Sequence, residues 1–111
     1  MKALVLHEEA DMFTKISSVL NKLDIEVIPV KLTKKVVQGS IQCNILIVDW
    51  DTLVKRNSSL HILDFLDNHT SLQKSILISS VQEPSAEILT KVTHRLGDSF
   101  TSEELESLLK N

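Results

Sequence analysis

Ile45-Leu46-Ile47-Val48-Asp49-Trp50 is the stretch on which the fold turns. Four bulky apolar residues in an unbroken row lack the polar alternation of a half-exposed strand. A strand of this kind is buried on both faces, as in a parallel sheet covered by helices. The row ends in a carboxylate. Open α/β sheets bind their ligands at the carboxyl ends of the strands, so Asp49 stands where such a fold places its chemistry.

Upstream, Ala3-Leu4-Val5-Leu6 is a second continuous apolar run and predicts the first strand. Met12, Phe13, Ile16, Val19, Leu20 and Leu23 then recur at helical spacing opposite Lys15, Ser18 and Lys22, which predicts the first helix. Ile25 to Val30 reads as the second strand. Pro29 cannot donate to a ladder, which assigns that strand to a sheet edge. A short helix from about Thr33 to Gln38 would end at Gly39.

Downstream, a polar loop runs from Trp50 to Asn57. Ser58 or Ser59 can cap a helix whose Leu60, Ile62, Leu63 and Leu66 face inward. Ile76-Leu77-Ile78 predicts the fourth strand, ending in Ser79-Ser80. Pro84 suits the first turn of a helix that buries Ile88, Leu89 and Val92, and a short fifth strand falls near His94 to Gly97. Thr101-Ser102-Glu103-Glu104 is a capping-box pattern opening a last helix with Leu105, Leu108 and Leu109 inside. Strands alternating with helices argue for an α/β sheet with helices on both faces.

At 111 residues the chain has the length of one domain, spanning 1–111. Its 42% hydrophobic content suffices for a core and excludes a disordered chain. The net charge of -3, without a clustered basic face, argues against direct nucleic-acid binding. No apolar stretch reaches the ~20 residues needed to span a bilayer, and MKALVLHEEA lacks a long signal-peptide core. The lone Cys43 fits a buried, inert thiol, and a cytoplasmic setting is expected. His7, His61, His69 and His94 show no metal-ligand spacing. Only Gly39 and Gly97 occur, so there is no glycine-rich phosphate cradle, and Ser79 has no neighbouring histidine base. A nucleotide-dependent enzyme or a serine hydrolase is therefore disfavoured, although fold alone does not exclude a small enzyme.

With acidic residues after the first strand, Val48-Asp49-Trp50 after the third and Ser79 after the fourth, the chain resembles the receiver, or CheY-like, family over essentially its whole length. The resemblance implies a flavodoxin-like three-layer sandwich, with a five-stranded parallel sheet in the order 2-1-3-4-5 and helices on both faces. It places Asp49 at the phosphoacceptor position and Ser79 at the hydroxyl that contacts the phosphoryl group. In the family a magnesium ion is held by the acceptor and by acids after the first strand. Here the metal candidates are Asp49 with Glu8 and Glu9, because the paired acids map to His7 and Glu8. A histidine supplies no hard anionic oxygen, so magnesium binding is expected to be weakened and no other cofactor is implied.

The family's conserved lysine maps to Asp98 and its switch aromatic to Arg95, in an alignment about three residues shorter before that point. Like charges 4 Å apart repel by roughly 4 kcal/mol at an effective dielectric of about 20. A carboxylate in place of the lysine disfavours a phosphoryl group on Asp49. The expectation is a non-enzymatic pseudo-receiver, a regulatory interaction module whose acceptor has no cationic neighbour. Its partners would be a signalling protein, such as a histidine kinase, an output domain or another regulator, or a second copy of the chain. The family surface formed by the fourth helix, fifth strand and fifth helix corresponds to Lys91, Arg95 and Glu103. The alternative is a phosphoaccepting receiver with an atypical site built on Asp49, Glu8 or Glu9, and Ser79.

Overall fold

Strand β1 (Lys2–Leu6), helix α1 (Ala10–Lys22), and strands β2 (Glu26–Pro29), β3 (Ile45–Asp49) and β4 (Lys74–Ile78) are followed by helix α2 (Ala86–Lys91), strand β5 (His94–Leu96) and helix α3 (Ser102–Lys110). The structure is a computed structural model that describes residues 1–6, 10–29, 43–51, 65–67, 72–79, 86–97 and 99–110. The expected helix over 33–38 with Gly39, the caps at Ser58 or Ser59, and Leu60, Ile62, Leu63 and Pro84 lie outside the described residues.

The five strands pair in parallel in the order β2-β1-β3-β4-β5, as expected from the sequence. Ala3, Leu4, Val5 and Leu6 and all five residues of β3 are buried, so successive side chains must enter two separate cores. Ala3, Val5, Ile45, Ile47, Ile76, Ile78 and Leu96 pack with Ile16 and Leu20 of α1 and Leu105 and Leu109 of α3. On the other face, Leu4, Leu6, Leu46, Val48 and Leu77 pack with Cys43, Trp50, Phe65 and Ile88 of α2. Period-2 alternation through doubly covered strands thus produces three layers.

Pro29 ends β2 at one sheet edge, opposite Val5, where its missing N–H costs nothing. Helix α1 stops in a Schellman motif: Ile25 N–H donates to the Leu20 carbonyl at 2.9 Å and Asp24 N–H to the Asn21 carbonyl at 3.2 Å. Asp24 takes the left-handed conformation that this stop requires, with φ of 59°. The capping box at α3 forms reciprocally, since Glu104 N–H donates to Thr101 Oγ1 and Thr101 N–H to Glu104 Oε1, both at 3.1 Å.

Two details differ from expectation. Trp50 is not part of a polar loop: it lies in a helical turn and is 4% exposed, because the apolar row of β3 continues into the second core. Phe65, which the expected stripe left out, is fully buried in the same core, and Leu66 packs against that core as expected. Among the described residues, no helix is long and apolar enough to cross a membrane.

Candidate functional site

Parallel pairing brings all the carboxyl ends of the strands to one edge of the sheet, and this edge carries the candidate site. Asp49 is the last residue of β3 and pairs with Ile78, the last of β4. Ser79 follows directly, so both candidates stand on neighbouring strands about 5 Å apart. Both are polar and nearly enclosed, Asp49 being 6% and Ser79 5% exposed. Buried polar groups persist only where they are bonded. Ser79 N–H donates to the Leu96 carbonyl at 3.0 Å, which extends the β4–β5 ladder by one residue and fixes the serine backbone.

The Ser79 hydroxyl accepts a hydrogen bond from Arg95 Nε at 3.3 Å. Register explains the contact. Arg95 pairs with Leu77, and Ser79 lies two residues further along β4, on the same face. A guanidinium therefore stands at the carboxyl edge, where the sequence had suggested no cation. Sequence alone gave little warning of this, because an arginine in a three-residue edge strand reads as a solvated surface group. The signal was its period-2 placement between the inward residues of β5.

Alternation also separates the candidates. Asp49 follows the phase of Ile47 and Ile78, on the α1 and α3 side, whereas Ser79 and Arg95 follow Leu77, on the α2 side. Glu8, Glu9 and His7, expected near the acceptor, and Asp98, expected in place of the lysine, lie outside the described residues. Among the described residues no three His, Cys, Asp or Glu side chains are grouped to hold a metal ion.

The three residues expected on an interaction surface do not share a layer. Lys91 ends α2 and forms an ion pair with Asp67, a contact that holds its ammonium above the ordinary lysine range. Arg95 is exposed but bonded to Ser79, and both belong to the α2 side. Glu103 is exposed in the first turn of α3, across the β5 edge. His94 meets Thr93, whose Oγ1 lies 2.9 Å from Nδ1, and so serves the strand entry. Trp50, next to the acceptor, packs into the core, and its indole Nε1 meets no hydrogen-bond partner among the described residues.

No protein-family model matches the chain, and no curated protein matches it. Solved structures do. One is described as yeast Spc42 trimeric coiled-coil amino acids 181–211 fused to another structure. It is 18% identical with a TM-score of 0.72, and the match covers 98% of this chain and 76% of that one. Another is the N-terminal domain of a response regulator/sensory box/GGDEF three-domain protein from Carboxydothermus hydrogenoformans. It is 17% identical with a TM-score of 0.68, and the match covers 99% of this chain and 91% of that one. Identity this low speaks for the fold alone. Sheet order, layering and likeness together give this chain the flavodoxin-like fold of a response-regulator receiver domain.

Proposed function

We propose that the chain is a receiver-like signalling module that regulates a partner or an attached domain by protein contact, without efficient phosphorylation of Asp49. The single observation that carries this reading is the placement of Asp49 and Ser79, both nearly enclosed, at the carboxyl edge of a sheet with receiver topology. Against efficient transfer stands the sequence around that pair. His7 and Glu8 follow the first strand in place of two short acids, and Asp98 follows the fifth strand in place of a lysine. A magnesium ion would neutralise charge on a transferring phosphoryl group. Among the described residues no three acidic, histidine or cysteine side chains are grouped to fix its octahedral geometry.

A second reading, a phosphoaccepting receiver with an atypical site, is favoured by one specific contact, the Arg95 guanidinium on Ser79. A cation there offsets part of the repulsion expected from an acidic surrounding. Magnesium titration followed by NMR separates the two readings. Silence around Asp49 and Ser79 supports the module that works without phosphorylation, and selective saturable shifts there support the acceptor.

The partner-binding face is proposed on the α2, β5 and α3 side, with Glu103 and Arg95 exposed on it and Lys91 tied to Asp67. Replacing Glu103 and Lys91 together should weaken association with a signalling partner, or with a second copy, while the melting temperature stays near wild type. Unchanged affinity would count against this face.

A further inference from the structure

The amino edge of the sheet, opposite the strand ends that carry Asp49, holds a cleft of about 200 Å³ between the start of β4, the entry to β5 and the end of α2. This is below the roughly 300–1,000 Å³ of pockets for drug-sized molecules, so the cleft suits a compact ligand. Leu66 and Leu72, both partly buried, form its apolar wall. Ser75, Thr93 and the ion-paired Asp67 and Lys91 supply its polar lining.

The hydrogen bonds of this lining leave a specific remainder. Thr93 Oγ1 accepts from Ser75 N–H at 2.9 Å and donates to the Ser75 carbonyl at 3.0 Å, so its proton is used. Ser75 Oγ accepts from Thr93 N–H at 3.0 Å, and its own proton meets no acceptor among the described residues. That serine is 3% exposed, and a buried donor without an acceptor is costly. Its place on β4, in the phase of Leu77, turns it to the α2 side, where the cleft lies. Lys91 spends one of its three N–H donors on Asp67 Oδ1, which leaves two donors on the ammonium and Oδ2 on the carboxylate. A partly exposed ion pair of this kind adds little to stability. Lys74 also borders the cleft, but its ammonium donates to the Leu108 carbonyl of α3. A phosphate or a dicarboxylate would meet the Asp67 carboxylate as well as the Lys91 ammonium, and like charges repel. A ligand carrying both signs meets each with its opposite.

We propose that this cleft binds a small zwitterion of the apolar α-amino-acid type. Its carboxylate takes the Lys91 ammonium and the Ser75 O–H, its ammonium takes Asp67, and its side chain rests on Leu66 and Leu72. The site is independent of how Asp49 is read, and it gives a module of this fold a ligand input remote from the acceptor position.

The test is a ¹⁵N–¹H NMR titration of the full chain with L-leucine. Saturable shifts at millimolar ligand are expected at Leu72, Ser75 and Thr93. Lys91→Gln and Ser75→Ala should each weaken binding by about tenfold, the worth of one hydrogen bond to a charged group. 4-Methylpentanoate, which lacks the ammonium, and 3-methylbutylamine, which lacks the carboxylate, should each bind about tenfold more weakly than leucine for the same reason. The proposal is overturned if leucine gives no saturable shift at these residues, if either analogue binds as well as leucine, or if Lys91→Gln binds as wild type does. Lys91→Gln alters a partly exposed side chain, so it carries the test should far-UV circular dichroism show that Ser75→Ala unfolds.

Discussion

Phe65, Trp50 and Cys43 belong to the core layer on the α2 side of the sheet. Phe65 is fully buried against the sheet, so Phe65→Ala should cost about 3–5 kcal/mol through lost transfer energy and a residual cavity. Urea denaturation followed by far-UV circular dichroism measures it, and a loss under about 1 kcal/mol would mean the site collapses freely. Phe65 was not legible in the sequence, because the leucines and isoleucine around it already satisfied a helical stripe. Cys43 was legible as a buried thiol. Burial pushes its pKa up, outweighing a backbone hydrogen bond from Leu4 that lowers it. In the native protein it should react with a thiol reagent far more slowly than in denaturant at the same pH, and equal rates would place it at the surface. Arg95 was legible only as a position. Its contact joins residues on two strands, and the register that brings them together arises from folding rather than from any local pattern.

At the scale of elements, ends and connections carry the testable energetics. The capping box of α3 was readable from four consecutive residues, since its bonds are local. Thr101→Ala should destabilise the protein by about 1 kcal/mol, read as a lower denaturation midpoint at unchanged slope. The stop of α1 was not readable, because Asp24 occupies a left-handed position where glycine is the usual marker. Asp24→Gly relieves backbone strain at the expense of a more flexible unfolded chain, so a net gain of about 0.5 kcal/mol is expected in the same assay.

Helices α1 and α3 are also joined through Glu106, which meets Lys22 at 3.2 Å and Lys110 at 3.1 Å. Hydrogen bonds from Lys110 and then Lys22 hold its carboxyl below the ordinary 4.5. A carboxyl whose pKa is lowered by folding binds its proton more readily when unfolded. Its contribution is therefore complete above about 4.5 and lost as pH falls through the lower folded value. Wild type should exceed Glu106→Gln in stability at neutral pH, and the gap should close below pH 4.5. A gap independent of pH would remove the ion pair from the account.

The whole molecule was the most legible scale. Unbroken apolar strands alternating with helices signal a covered parallel sheet and Pro29 puts the second strand at an edge, while the full order came from the resemblance to receivers, and the observed order is the expected one. A fold specified by many agreeing local signals tolerates a misjudged residue. A site does not, since it depends on a few side chains from separate strands whose meeting follows from register. The candidate acceptor and hydroxyl were readable because strand ends are readable. The cation was not, because a loop-length difference before β5 blurs every assignment there.

Asp49 is proposed to keep the acceptor position of this fold without efficient phosphoryl transfer to it. Intact-protein mass measured after incubation with acetyl phosphate and magnesium tests it most directly. Almost all chains are expected to keep the unmodified mass. A gain of one phosphoryl group per chain, abolished by Asp49→Asn, would contradict it.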